Sequence, residues 1–547
     1  MTDDRDEAGV IGYGRSGDHA VRRGPRHAAA AAHRARDPRR AALLAFAVLA
    51  VALVAFVALS TPWETLPRPA GGRVPVDVRR DFTAAELARE DAYHRELWPA
   101  IFASSGAGVI VALLLGFTSA GARLVGAVAR PLGGRRGWQL VLGTAAVTAV
   151  TTAATIPFGI WRESIQRDAG LVVHGWGDYA VDTATQYGLT AAGTLVGLAA
   201  LYLLVKLFPR HWWAPGALVG AGLVVLSSYA YPVVVEPAFN DFHPMAAGPL
   251  RAELLELAAA DGVDVQDVLV ADASRRTSRV NAYVSGIGSS RRIVIYDTTL
   301  AQLTTPQIRT IIAHELGHVD EGDVLRGTAE GAVGMATAMC LLFALLGSPG
   351  VRRRAGLEPV GELDARGRRA DTDPRSLALV LALVTGLLAL VSPVELLVSR
   401  RVESRADAHS LDLTRDPATM ASMQRMIALN NLGDLNPNPW VRALRGSHPY
   451  TPERIALART WARLHGVPEP PDLVGPAGPA PGPGATPTPT SATPTPTSTS
   501  TPASTATPRA GPGTAPTARP TVSRPPTPQP RQGTPKPRAA TPKPSAR

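Results

Sequence analysis

Seven apolar stretches of membrane-spanning length constrain the fold of this 547-residue chain more than any other feature. About 20 apolar residues coiled as an α-helix cross the hydrocarbon core of a bilayer, and only such a helix satisfies its own backbone hydrogen bonds there. The sequence therefore predicts a polytopic α-helical membrane protein of about seven spans. The stretches cover residues 41–60, 99–119, 139–160, 188–208, 214–235, 327–349 and 376–397.

The remaining segments divide the chain into parts of different composition. Residues 1–40 are charged, and residues 467–547 consist mainly of Pro, Thr, Ser, Ala and Gly, so both termini are expected to be disordered. Residues 41–235 form a membrane bundle of five spans, and residues 327–397 add spans six and seven. Two polar segments, 236–326 and 398–466, remain for a small α+β region.

Residues 314–318 read His-Glu-Leu-Gly-His. On a helix, His314 and His318 lie on one face and can bind one metal ion, while Glu315 can act as a general base beside it. Thr304-Thr305-Pro306 is typical of a helix start, which supports a helix through this motif. The alternative is a solvated helix that carries two histidines by chance. A zinc site further requires a third protein ligand.

A candidate third ligand occurs some eighty residues later, in the second polar segment. Glu403 and Asp407 are one helical turn apart, so one carboxylate could bind the metal while the other supports a ligand from behind. In isolation this charged stretch would be interpreted as a solvated helix face. Together with the two histidines, it predicts zinc bound by His314, His318 and Glu403, one ion per chain.

Two β-rich runs flank a glycine turn between residues 278 and 298, which predicts a hairpin. An edge strand next to a metal-binding helix can pair with an extended peptide, so Asn281 and Ala282 are candidates for substrate binding. A hairpin that only contributes to the core is the alternative.

The sequence resembles the zinc-dependent integral-membrane CAAX prenyl proteases over residues 40–466. The resemblance rests on five elements: Pro237–Phe242, then Asn281–Tyr283 with Arg291–Thr298, then His314–His318, Glu403–Asp407 and Ser447–Pro449. It implies that His314, His318 and Glu403 bind zinc and that Glu315 is the base. It further implies that Asp407 is a proton donor or orients a ligand, and that His448 lies near the substrate carbonyl. Tyr450 stands where many relatives have a second proline.

The predicted function is membrane-embedded zinc endoproteolysis of extended or membrane-associated polypeptides. A non-catalytic membrane scaffold or transporter with a structural zinc is the alternative, although such a protein has no use for Glu315. Within the protease interpretation, membrane-protein quality control and cleavage of a prenylated CAAX terminus are both open. The expected partners are a peptide or membrane-protein substrate and the lipid bilayer, with no nucleic acid. The sequence does not indicate an oligomeric state.

Charge gives conflicting indications of topology. Residues 471–547 carry eight Lys or Arg against one acid, Asp472, and so account for +7 of the formal net charge of +11. The net positive charge of the chain therefore comes mostly from the tail. The tail is either a spacer or a segment that binds anionic polymers or lipid or carries sugars. Arginines concentrate between spans two and three and between spans six and seven, which predicts an inside amino terminus and an outside zinc region. The family resemblance implies a cytosolic zinc side. The arginine-rich composition suggests a bacterial cell membrane.

Overall fold

The structure, a computed structural model, describes residues 37–286, 288–361 and 372–474. Most of the segments predicted to be disordered, residues 1–36 and 475–547, lie outside the described residues. Fifteen α-helices occur in the described part of the chain: α1 (Pro38–Ser60), α2 (Ala84–Phe117), α3 (Ser119–Ala129), α4 (Arg136–Asp168), α5 (Trp176–Leu207), α6 (Trp213–Ala230), α7 (Pro249–Ala260), α8 (Asp297–Gln302), α9 (Thr305–Asp320), α10 (Asp323–Leu346), α11 (Pro349–Arg354), α12 (Leu377–Thr414), α13 (Pro417–Asn431), α14 (Pro439–Arg445) and α15 (Thr451–His465).

Seven of these helices are long and apolar enough to cross a membrane, and they confirm the predicted spans. They are α1, α2, α4, α5, α6, α10 and α12. Large apolar side chains such as Leu44, Leu218 and Leu390 are more than two-thirds exposed along them, as expected for surfaces that face lipid.

Two of the spanning helices extend well beyond their apolar stretches. Helix α2 begins at Ala84 because Thr83 and Glu86 form a reciprocal capping box at its start. Helix α12 continues without a break to Thr414. The extension of α12 is important for the site, since it carries Glu403 and Asp407 rigidly out of the membrane.

A small mixed sheet forms in the first polar segment. Its strands are β1 (Phe242–Pro244), β2 (Asp267–Ala271), β3 (Ala282–Ser285) and β4 (Arg292–Tyr296), in the order β1-β2-β4-β3. Strands β2 and β4 are parallel, whereas β3 and β4 are antiparallel, with Tyr283 opposite Val294. This pairing confirms the predicted hairpin and leaves β3 at an edge of the sheet.

One apolar core joins the sheet to the motif helix α9. Ile293 and Ile295 of β4 pack with Ile312 and Leu316 of α9, and Trp461 of α15 belongs to the same cluster. Each of these side chains is almost fully buried, and burial of such a side chain contributes roughly 1.5–3 kcal/mol. The core thereby fixes the face of α9 that carries the histidines.

The two polar segments meet, as the sequence requires of a shared site. Helices α10 and α12 lead the chain into the membrane and back, and α9 then packs against α12. The approach is close at Gly317, where an added Cβ would lie 3.0 Å from the side chain of His409. Glycine at this position of the motif lets α9 lie directly on α12.

Candidate metal centre

Three side chains converge where α9 crosses α12. Nε2 of His314 lies 3.3 Å from Nε2 of His318, and it lies 3.2 Å from Oε2 of Glu403. Nε2 of His318 is 3.7 Å from the other oxygen of the same carboxylate. Among the described residues, this is the group of His, Cys, Asp or Glu side chains that could hold a metal ion.

The orientation of the two imidazoles fits a metal ion. Nδ1 of His314 lies 3.0 Å from Oδ1 of Asp407, and Nδ1 of His318 lies 2.9 Å from Oδ2 of Asp323. A neutral imidazole whose Nδ1 donates to a carboxylate has its lone pair on Nε2. The two Nε2 lone pairs therefore face each other and the Glu403 carboxylate, an arrangement that a bound cation stabilises.

The spacing of these atoms suits a tetrahedral metal ion such as zinc. A tetrahedral zinc ion with bonds of about 2.1 Å separates its ligand atoms by about 3.4 Å. The observed separations of 3.2, 3.3 and 3.7 Å lie around that value. Two imidazoles and one carboxylate are a donor set typical of catalytic zinc sites, which keep the fourth position for water or substrate.

Electrostatics at His314 favour a positive charge. Burial alone would lower the pKa of the His314 imidazole, but its hydrogen bonds with Asp407 and Glu403 outweigh that effect and raise the pKa to about 9. The local potential that stabilises an imidazolium also stabilises a metal cation at the same place.

Glu315 follows His314 on α9 and is not one of the converging ligands. Burial raises the pKa of the Glu315 carboxyl, while the neighbouring histidines oppose that shift. A carboxylate with a raised pKa accepts a proton more readily near neutral pH, which suits a general base.

The partner of Asp407 was not predicted from the sequence. Arg454 of α15 donates from Nε to Oδ2 of Asp407 at 2.8 Å, and its Nη2 lies 2.5 Å from Oδ1. Burial would lower the pKa of the Arg454 guanidinium, but the charge of Asp407 outweighs it and raises the pKa. The arginine thus neutralises a carboxylate that has no solvent exposure.

A second missed group supports His318. Asp323, at the first turn of α10, contacts Nδ1 of His318 and pairs with both Arg405 and Arg326. Arg326 also donates to the backbone carbonyl of Ser60 at 2.8 Å. The second metal-site histidine is therefore connected to the end of the first span. The sequence signal that could have indicated this contact was an acidic residue shortly after the His-Glu-Leu-Gly-His motif.

His448 lies next to the converging ligands, in the loop between α14 and α15. Its Nε2 is 3.2 Å from Oε1 of Glu403, and its Nδ1 is 2.9 Å from the hydroxyl oxygen of Ser447. The side chain is 56% exposed, so a substrate can reach it. The structure places the histidine beside the site, and its role stays a prediction.

The edge strand distinguishes between the two candidate substrate-binding residues. The Asn281 N–H donates to Thr299 Oγ1 at 2.8 Å, and the Asn281 carbonyl accepts from the Tyr296 N–H at 3.1 Å. Its backbone is thus used within the protein. Because hydrogen-bonding direction alternates along an antiparallel strand, the backbone N–H and C=O of Ala282 point away from β4. Ala282 is only 3% exposed, however, so backbone pairing of a substrate with Asn281 or Ala282 stays a prediction.

Comparisons with known proteins agree with this geometry. Residues 244–462 match the model of peptidase family M48, and residues 69–241 match the CAAX prenyl protease N-terminal model, described as five membrane helices. Together the two matches span the chain from before α2 to α15.

Similar proteins occur in bacteria and eukaryotes. The uncharacterized metalloprotease YhfN of Bacillus subtilis is 27% identical over 312 residues, which are 57% of this chain and 71% of that protein. A CAAX prenyl protease 1 homolog of Oryza sativa is 33% identical over 245 residues, 44% of this chain and 54% of that protein. The chain therefore matches only about half the length of the rice protein.

The fold also has a solved counterpart. The crystal structure of S. mikatae Ste24p superposes with a TM-score of 0.60 at 19% identity, covering 76% of this chain and 98% of that one. At this identity the likeness concerns the fold. With the two family matches, it confirms the predicted resemblance: the chain belongs to peptidase family M48 and is a multi-pass membrane metalloprotease of the CAAX prenyl protease type.

Proposed function

We propose that this protein is a zinc endopeptidase in which His314, His318 and Glu403 bind one zinc ion and Glu315 is the general base. The observation that carries the proposal is the convergence of three ligand atoms from α9 and α12, with a non-ligating glutamate next to the first histidine. The peptidase region comprises the two polar segments, residues 236–326 and 398–466.

Each side chain has a distinct task in this proposal. A zinc ion held by the three ligands supplies Lewis-acid activation of water and of the peptide carbonyl. Glu315 takes the proton from the attacking water and delivers it to the leaving amine. His448 donates to the oxygen that becomes negatively charged, and Asp407 and Asp323 hold the two imidazoles with Nε2 directed at the metal.

The substrate is an extended polypeptide that pairs with the edge strand β3, near Asn281 and Ala282. Main-chain pairing tolerates many sequences, so it suits cleavage of membrane-associated or incompletely folded chains, as in membrane-protein quality control. The eukaryotic relatives are named CAAX prenyl proteases, which makes a prenylated terminus a second candidate substrate. We place the protein in a bacterial cell membrane, given the similarity to the Bacillus protein.

A non-catalytic scaffold with a structural zinc is not favoured by any contact in the described residues. A structural site is normally closed by four protein ligands, whereas three converge here and the partly buried Glu315 accompanies them. Both features belong to a site that performs chemistry on bound water.

The test compares purified wild-type protein with Glu315→Gln and Glu403→Ala, measuring zinc content and turnover of a peptide library. Glu315→Gln should bind zinc at the wild-type ratio and lose turnover, because it lacks the base and keeps all ligands. Glu403→Ala should lose zinc and activity together. Equal turnover by wild type and Glu315→Gln would refute the proposal, and full zinc retention by Glu403→Ala would place the third ligand elsewhere.

A further inference from the structure

A cavity with a volume of about 350 Å³ lies next to the metal centre, on the side of Asp407 and Arg454. Asp407 and Arg454 form part of its wall, but none of the three metal ligands, Glu315 or His448 lines it. The cavity is therefore distinct from the place where a scissile peptide bond must lie. Its volume is within the range of roughly 300–1,000 Å³ found for small-molecule sites.

The wall of this cavity is strongly basic. Five arginines line it, against two carboxylates: Arg73, Arg400, Arg401, Arg442 and Arg454, with Asp407 and Glu453. Both carboxylates are already paired, Asp407 with Arg454 at 2.5 Å and Glu453 with Arg442 at 2.6 Å.

Three arginines in the wall lack a carboxylate partner in the described part of the chain. Arg73 donates to the carbonyl of Leu66, and Arg400 donates to the carbonyls of Arg442 and Gly446. The side chain of Arg401 has neither a hydrogen bond nor an ion pair among the residues that the structure describes, and the residue is only partly exposed. Three like charges around one cavity repel one another, and an anion in the cavity would relieve that repulsion.

The position of the cavity relates it to the membrane surface. Thr65 and Leu66 follow the end of the first span, and Leu397 is the last residue of the apolar stretch of the seventh. Arg400 and Arg401 come one turn later on the same helix. The cavity thus lies near the level at which two spans leave the hydrocarbon, where phospholipid headgroups are found.

We propose that this cavity binds a phosphate-bearing ligand through Arg73, Arg400 and Arg401. Guanidinium groups match phosphate oxygens in geometry as well as in charge, and charge-assisted hydrogen bonds are stronger than neutral ones. A phospholipid headgroup or a free phosphate would offer this chemistry. The cleaved peptide is a poorer occupant, since its reacting bond must lie at His314, His318 and Glu403, outside this cavity.

The experiment measures binding and needs no peptidase activity. Full-length protein is placed in nanodiscs of phosphatidylcholine with or without phosphatidylglycerol, and the lipids retained after extraction are counted by native mass spectrometry. Inorganic phosphate is added separately to protein in a neutral detergent, and its effect on the thermal unfolding midpoint is recorded. The lipid measurement detects binding of a phospholipid headgroup, and the phosphate measurement detects binding of a free anion.

Arg401→Gln is the informative variant, because the Arg401 side chain makes no hydrogen bond or ion pair within the described residues that the substitution would remove. We expect it to bind the anionic ligand about tenfold more weakly than wild type does. Arg401→Lys keeps the charge and should retain most of the binding. Arg95→Gln, which removes the charge of an exposed arginine on α2 outside the cavity, should bind as wild type does.

Enrichment of phosphatidylglycerol by wild type and its loss in Arg401→Gln would identify the headgroup as the source. Stabilisation by phosphate alone, lost in the same variant, would identify a free anion. Arg73→Gln repeats the comparison if Arg401→Gln does not fold. The proposal is overturned if wild type shows neither effect, or if Arg401→Gln behaves as Arg95→Gln does.

Discussion

Oδ1 of Asp407 lies 3.0 Å from Nδ1 of His314, and Asp407 has no solvent exposure. The same carboxylate accepts a hydrogen bond from Arg454, which belongs to α15 near the end of the described chain. One buried anion therefore fixes the tautomer of a metal-site histidine and anchors the last helix. Metal binding and the packing of α15 are expected to depend on each other.

Asp407→Asn should weaken zinc binding by about 10–100-fold, the usual cost of losing a carboxylate that orients a ligating histidine. Zinc affinity is measured by competition with a chelator of known affinity. Asp91→Asn, at an exposed position of α2, serves as the matched control. Wild-type affinity in Asp407→Asn would show that His314 is oriented by the fold alone.

Arg454→Met should destabilise the protein, because it leaves the Asp407 carboxylate buried without its ion-pair partner. Loss of one partner of a buried pair costs about 3–5 kcal/mol. The unfolding midpoint of the detergent-solubilised protein should fall accordingly. The double variant Asp407→Asn with Arg454→Met should recover part of that loss. Additive effects of the two substitutions would contradict a direct interaction.

Local sequence patterns were sufficient to predict the membrane spans and the pair of histidines on one helix face. An apolar stretch and a spacing of four residues on a helix are both determined by neighbours in sequence, and His314 and His318 accordingly lie together. The apolar stretch 99–119 predicted the second span but not where α2 begins, because residues 84–98 are rich in charge while the capping at Thr83 begins the helix there.

The partners of the ligands could not be derived in the same way. Arg454 reaches Asp407 from a different helix, and no periodicity relates the two positions. Likewise, the use of the Asn281 backbone depends on Thr299, a residue beyond the hairpin. Such contacts depend on tertiary packing, which cannot be derived from a single sequence.

His448→Phe should lower kcat by about 10²–10³-fold while zinc remains bound, as expected for loss of one donor to an oxyanion. The imidazole of His448 contacts Glu403 and none of the other proposed ligands, so the donor set for zinc stays complete. Turnover and zinc content are measured on the same preparation. An unchanged kcat would remove His448 from the mechanism, and a loss of zinc would make it part of the metal site.

The two arginine-rich loops of the membrane region lie on one side of the bundle. Ala122, which follows the second span, packs with Ala355 and Leu357, which follow the sixth. Arg123, Arg130, Arg135 and Arg136 belong to the first loop and Arg352, Arg353, Arg354 and Arg375 to the second, whereas Arg366, Arg368 and Arg369 lie outside the described residues. With all seven helices crossing the membrane, the start of α1 is expected on this side and the metal centre on the other.

Because short loops rich in arginine stay in the cytoplasm, the metal centre and the tail are expected outside the cell membrane. Alkaline phosphatase, which is active only outside the cytoplasm, should be active when fused after residue 474 and inactive when fused in the loop after α3. External protease should remove the tail of intact cells and leave an amino-terminal tag intact. A protected tail with an exposed amino terminus would reverse the topology, and the proposed metal ligands would be unaffected.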